Sequence, residues 1–390
     1  MVTNPPQIAP DWKTLHQNAT LVDLHIHPSL KVSLFHRVLT TRLYSARGFD
    51  PFSLRSDFTS LREGHVDVTL SCIYAPEHGI LNECRPLRLL RFVTPIVWRK
   101  VFRQTPLKVT LQMLDEMEKA VPASRDRSTG GPQAQIVRSL GELEMLLAQG
   151  EDHPVAIIHA VEGGHSLEGK LSSLDTLFDR GVAYLTLAHF FENELVYPCY
   201  PWPENLQHFG CFQGQRNVAL GLKPFGETVV ERMVELGMLI DISHCTPAAR
   251  ARIYDIVGKR APLVASHVGA YEINPDPYNL KDWEIRRIAD GGGIVGVIFM
   301  NYWLMPRESS RGLNFITRTL EHFVRAGGIE AVGLGSDFDG FTDPPDDLKD
   351  ASEMSNLTQR LLAEGYSHDA IRSILGGNAL RVLRQGWGKR

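Results

Sequence analysis

The chain has 390 residues, of which 43% are hydrophobic and 22% charged, the proportions of an ordinary globular protein with a sizeable core. A net charge of −4 gives no reason to expect nucleic acid or an anionic surface as the main partner. No run of 18 apolar residues exists to span a membrane, and the Pro-, Asn- and Gln-containing first 20 residues lack the pattern of a signal peptide.

The first strand candidate covers residues 20–25 and leads into His25 and His27. Val22, Leu24 and Ile26 alternate with Asp23, His25 and His27, so the apolar set is expected to meet outer helices and the polar set to face inward. Inward polar residues are costly without partners, and a metal would supply one. A His-x-His pair on one strand face puts its imidazoles roughly 6–7 Å apart along the chain, within reach of a single ion. The second candidate is 66–73. Residues 84–103 then mix arginines with large apolar side chains. They read first as a surface helix pair broken at Pro95, and otherwise as a lid, a dimer contact or a membrane-surface segment.

A third candidate, 155–160, runs into Glu162-Gly163-Gly164. A carboxylate at a strand exit, with glycines permitting close approach, can ligate or bridge metals; the plainer alternative is a helix cap. His159 reads as a core histidine and His165 as a loop residue. The candidate 183–187 ends beside His189, which would face the same opening and could hold a developing oxyanion. Candidates 239–242 and 263–265 precede His244 and His267, and a serine stands before each histidine. The last two, 293–299 and 331–334, lead to Asp337, which could bind metal and shuttle a proton between water and a leaving group. Gly333 and Gly335 are expected to leave open volume beneath it, and Asp339 reads as a loop hydrogen-bonder.

Helical patterns at 226–237, 247–257, 282–290 and 314–326 separate the later strands, and 367–383 reads as a closing helix pair. Eight strands alternating with helices predict a TIM (β/α)8 barrel over a single domain, 1–390, with its metal centre at the C-terminal face of the strands. No nucleophile elbow, P-loop or Gly-x-Gly-x-x-Gly appears, so serine-hydrolase, phosphoryl-transfer and dinucleotide chemistries lack their signals. Five cysteines without a Cys-x-x-Cys pair argue against a zinc ribbon and for free thiols in a reducing, cytoplasmic location. Cys245 reads as packing beside His244.

His25-x-His27, Val-Glu162-Gly-Gly-His-Ser, Leu-Thr-Leu-Ala-His189, Leu-Ile-Asp-Ile-Ser-His244, Ala-Ser-His267, Gly-Ser-Asp337-Phe-Asp-Gly and Gly-Gly-Asn378-Ala-Leu-Arg occur in this order. Over residues 21–383 the chain therefore resembles the renal (membrane) dipeptidase family of zinc hydrolases. The resemblance implies two divalent ions, zinc, bridged by Glu162, with His25 on one and His244 and His267 on the other. It implies Asp337 as the acid/base, His189 as a substrate contact, a small-molecule dipeptide as substrate, and a homodimer. Two positions depart from the family. His27 stands where an aspartate is usual, so this ligand is neutral rather than anionic. Tyr278 stands where an arginine holds the dipeptide carboxylate; it can bind substrate through one hydrogen bond but supplies no charged fork. A non-peptide amide, lactam or ester is thus an alternative substrate, and a non-catalytic scaffold a further alternative.

Overall fold

Nine parallel strands form one sheet: β1 (Val22–Ile26), β2 (Val68–Ile73), β3 (Ala134–Val137), β4 (Val155–Glu162), β5 (Tyr184–Thr186), β6 (Leu239–Asp241), β7 (Leu263–Val268), β8 (Ile294–Val297) and β9 (Val332–Leu334). The computed structural model describes residues 12–43, 48–125, 130–150, 152–199, 216–304 and 311–388. Pairing runs β1–β2–β4–β5–β6–β7–β8–β9 and returns to β1, which closes an eight-stranded barrel. All eight expected strands are present. β3 is additional, and it pairs with residues 155–158 of β4, the half that β5 does not reach.

The polar expectation for β1 needs a correction. Val22 and Leu24 pack with Leu70, Ile158, Tyr184, Leu239, Val264 and Ile294, a cluster fed by most strands and therefore inside the barrel. Ile26 instead joins the outer cluster with Leu30 and Phe58. Strict alternation fails because the β1–β2 register shifts between Asp23 and Ile26. That irregularity lets an apolar floor and a histidine-bearing rim come from one short strand.

The helices Pro224–Leu236, Pro247–Val257, Asp282–Asp290 and Leu313–Gly327 cover the outside, close to the expected bounds. Pro247 starts its helix where its missing N–H is harmless, and the Thr246 side chain accepts from Ala249 N–H. The tail is a helix pair joined without a break, His368–Arg372 and Asn378–Gly386 flanking a π turn. Asn378 donates to the carbonyls of Ile329 and Val332, which fastens the tail to β9.

After β2 the chain forms short helical pieces, Arg85–Leu89, Leu90–Val93 and Pro95–Phe102, with the break at Pro95. Cys72, Cys199 and Cys245 are buried free thiols, whereas Cys84 is disulfide-bonded. The expectation of five free thiols therefore fails, and a disulfide persists best under oxidising conditions. Among the described residues no helix is long and apolar enough to cross a membrane.

Candidate metal centre

The C-terminal ends of the strands converge on Glu162, the last residue of β4. Five imidazole nitrogens surround its carboxylate. Nε2 of His25, His27, His189, His244 and His267 lie 3.4, 3.3, 3.3, 3.3 and 3.5 Å from its oxygens. The nitrogens also crowd one another, with His25 and His27 2.9 Å apart and His244 and His267 3.0 Å apart. Asp337 completes the group, its Oδ1 3.4 Å from His27 Nε2 and 3.9 Å from His25 Nε2. All seven side chains are buried.

Hydrogen bonding alone cannot satisfy this arrangement. One carboxylate has about four lone-pair sites, and facing imidazole nitrogens need one proton between two acceptors. Ligands on a common tetrahedral ion stand about 3.3 Å apart, given bonds of about 2.0–2.1 Å. The observed spacings, from 2.9 to 3.9 Å, lie around that value. Three trios of this centre reach ligand distance: His25, His27 and Asp337; His25, Glu162 and His267; Glu162, His189 and His244. Glu162 belongs to two of them. His27 Nδ1, buried and without a hydrogen bond among the described residues, is a further sign that this cluster was built for something besides protein partners.

Hydrogen bonds behind the ligands choose which ring nitrogen carries the proton. The Tyr184 hydroxyl donates to Leu24 O and lies 2.7 Å from His25 Nδ1, so it accepts from Nδ1–H and leaves Nε2 free. Ser266 Oγ donates to Asp241 and lies 2.7 Å from His267 Nδ1, which leaves Nε2 of His267 free in the same way. Asp241 is the hub of this layer. It accepts five hydrogen bonds, from Thr186 Oγ1, Ser243 N and Oγ, and Ser266 N and Oγ. The serine before each histidine was visible in the sequence; its partner at the end of the short strand β6, Asp241, was missed.

Backbone strain also marks the site. His244 and Asp337 adopt φ of +63° and +57°, a region that costs a non-glycine residue about 1 kcal/mol or more. The open volume expected beneath Asp337 is absent. A Cβ on Gly333 would strike Ile294, and one on Gly335 would strike the Ser266 carbonyl, so these glycines let strands close in. Asp339 is a loop hydrogen-bonder, accepting from Arg55 N, Ser56 N and Ser56 Oγ.

Burial pushes the Asp337 carboxyl well above its usual range, against the pull of His27. Burial would raise Glu162 too, but His189 and His25, helped by hydrogen bonds from His244 and His25, hold it well below. Burial lowers His25, His189 and His267, while the carboxylates of Glu162, Asp337 and Asp339 raise His27 in spite of its burial. The centre thus keeps one firm anion among mostly neutral imidazoles, the state in which those groups bind a cation.

Two residues sit differently from what their types suggest. The Tyr278 hydroxyl donates to the His267 carbonyl at 2.6 Å, so the group expected to reach substrate braces a ligand strand instead. Glu77, in the loop after β2, had drawn no attention. Its carboxylate lies 3.2 Å from His189 Nδ1 and accepts from Phe190 N, Phe191 N and the Tyr74 hydroxyl. A lone glutamate in Tyr-Ala-Pro-Glu77 carries no periodic or motif signal that could have marked it.

The family model for membrane dipeptidase (peptidase family M19) matches residues 11–386. Dipeptidase aclJ of Aspergillus oryzae is 31% identical over 331 residues, 84% of this chain and 69% of that protein. Dipeptidase 3 of Macaca fascicularis is 32% identical over 250 residues, 63% of this chain; the chain spans only 49% of that relative's length. The crystal structure of a metallopeptidase from Rhodobacter sphaeroides, liganded with a phosphinate mimic of L-Ala-D-Ala, superposes with a TM-score of 0.73 at 20% identity, over 95% of this chain and 99% of that one.

Proposed function

Because the chain belongs to the membrane dipeptidase family, peptidase family M19, we propose that it hydrolyses the amide bond of a dipeptide, or of a small molecule built like one, at the mouth of the barrel. The observation that carries this reading is the single buried carboxylate of Glu162 within 3.5 Å of five imidazole nitrogens. His25 and His27 would hold one divalent ion, His244 and His267 a second, with Glu162 between them; zinc suits this imidazole-rich set. Bound there, such ions would supply Lewis acidity toward a water and a scissile carbonyl.

The protein's own groups do the rest. Asp337 takes a proton from the attacking water at a carboxylate oxygen and returns it to the nitrogen of the departing amine. Its raised affinity for a proton suits it to carry one between the two atoms. His189 faces the same centre through Nε2 and steadies the carbonyl oxygen as charge builds on it. Glu77 holds the other side of that ring.

Tyr278 favours a second reading of the substrate. Its hydroxyl is committed to His267, and the loop at 276–280 carries no cation, so an amide lacking a free carboxylate would fit as well. A panel of dipeptides, with free and with amidated C-termini, separates the two on zinc-loaded protein. Turnover that falls by about 1000-fold in Asp337→Asn while metal content holds is expected. Preference for the amidated members would favour the second reading, and no hydrolysis of any member by metal-loaded protein would sink both.

A further inference from the structure

Residues 84–103 remain unused by the chemistry, and they expose a cluster of large apolar side chains. Leu89, Phe92, Val93 and Ile96 are 63, 69, 75 and 69% exposed, a dense group for one short stretch. Arg85, Arg88, Arg91, Arg99, Lys100 and Arg103 interleave with them, and no acid occurs between Glu83 and Asp115. In a chain whose net charge is −4, this is a local concentration of positive charge on apolar ground. Arg85, Arg91, Arg99 and Arg103 make no ion pair among the described residues, and the Arg91 guanidinium lies 4.5 Å from the Phe92 ring centroid.

The roots of the segment are fixed while its crest is bare. Lys100 bonds to Glu116 and to the Ser33 carbonyl, Val101 is buried, and Trp98 packs on Phe102 at 4.7 Å. Glu83 pairs with Arg216 at 2.9 Å. The segment follows β2, so it stands at the end of the barrel where the histidines gather.

We propose that this crest docks on an anionic lipid bilayer, with Leu89, Phe92, Val93 and Ile96 entering the headgroup boundary and the arginines contacting lipid phosphates. Apolar side chains flanked by arginine match such an interface in both hydrophobicity and charge. A second copy of this chain fits poorly, because a symmetric contact would set the arginines of one crest against those of the other. Docking in this orientation turns the barrel mouth toward the bilayer surface.

The test is co-sedimentation of the full chain with vesicles of phosphatidylcholine, with and without phosphatidylglycerol. We expect partition onto the anionic vesicles that weakens in high salt, little onto the neutral ones, and at least a tenfold loss in the triple variant Phe92→Ser, Val93→Ser, Ile96→Ser. The same loss is expected in Arg85→Ser, Arg88→Ser, Arg91→Ser. Both variants should keep the wild-type melting temperature and hydrolysis of soluble substrate, since neither touches the metal centre. Wild-type protein that stays in the supernatant, or variants that sediment as well as it does, would overturn the proposal. So would a wild-type dimer that the triple variant dissociates without any vesicle binding, since a second copy would then cover the crest. The readout is binding, so it fails independently of the hydrolase reading.

Discussion

Replacing Asp241 by asparagine should weaken both the fold and the centre, although Asp241 contacts no substrate. Oδ1 of Asp241 accepts three hydrogen bonds, from Ser243 N, Ser243 Oγ and Ser266 N; Oδ2 accepts two, from Thr186 Oγ1 and Ser266 Oγ, both at 2.6 Å. An amide keeps the first three by facing its oxygen toward the backbone donors. It then presents N–H groups to two hydroxyls that now donate. At about 1.5 kcal/mol for each hydrogen bond to a charged acceptor, reversing two costs about 3 kcal/mol. The second effect follows through Ser266. Once its oxygen must accept from the amide, its proton turns toward His267 Nδ1, and the imidazole proton moves to Nε2, the atom that faces Glu162. A ligand in the wrong tautomer should lose about 10- to 100-fold in metal affinity. Urea unfolding of metal-free protein and competition with a chromophoric chelator read the two effects separately. A variant within 0.5 kcal/mol of wild type by linear extrapolation, with zinc affinity inside a factor of about two, would refute the reasoning.

Glu77→Ala should lower kcat by about 10- to 100-fold with little change in metal content, because the His189 ring loses its partner. Glu77→Gln, which keeps a carbonyl oxygen, should recover part of the loss; equal activity in both would show that Glu77 only pins the loop. Stability should also fall with acid through His159, whose ring nitrogens find no hydrogen-bond partner among the described residues and whose pKa burial lowers to about 4. The unfolded histidine takes up its proton near pH 6.5 and the folded one near 4. The stabilisation is therefore complete above about pH 6.5 and is lost as pH falls toward 4, about 2 kcal/mol of it by pH 5. His159→Leu should remove that component, so that the variant gains about 2 kcal/mol relative to wild type between pH 7 and 5; a difference independent of pH would contradict it.

The barrel was legible because its strands are β-branched runs ended by polar clusters, the strongest local signal a parallel sheet gives. β3 escaped because Ala134–Val137 is four residues long with an exposed Gln135, too short and mixed to stand out. The ligand candidates were equally legible, since histidine and carboxylate at strand ends are costly without a purpose. The supporting layer was not. Whether Tyr278 reaches the opening or turns back to His267, and whether Glu77 meets His189 across 112 positions, depends on loop geometry that residue type leaves undetermined. Nor could periodicity foresee the register shift in β1, which put Val22 and Leu24 inside with the barrel floor.

The central claim is that Glu162 and its ring of histidines exist to bind metal. Elemental analysis of protein purified without chelators, alongside Glu162→Gln prepared identically, tests it most directly. About two zinc ions per wild-type chain, with a clear loss in the variant, are expected for a carboxylate shared between them. Folded wild-type protein that holds no divalent ion even after incubation with zinc would contradict the account.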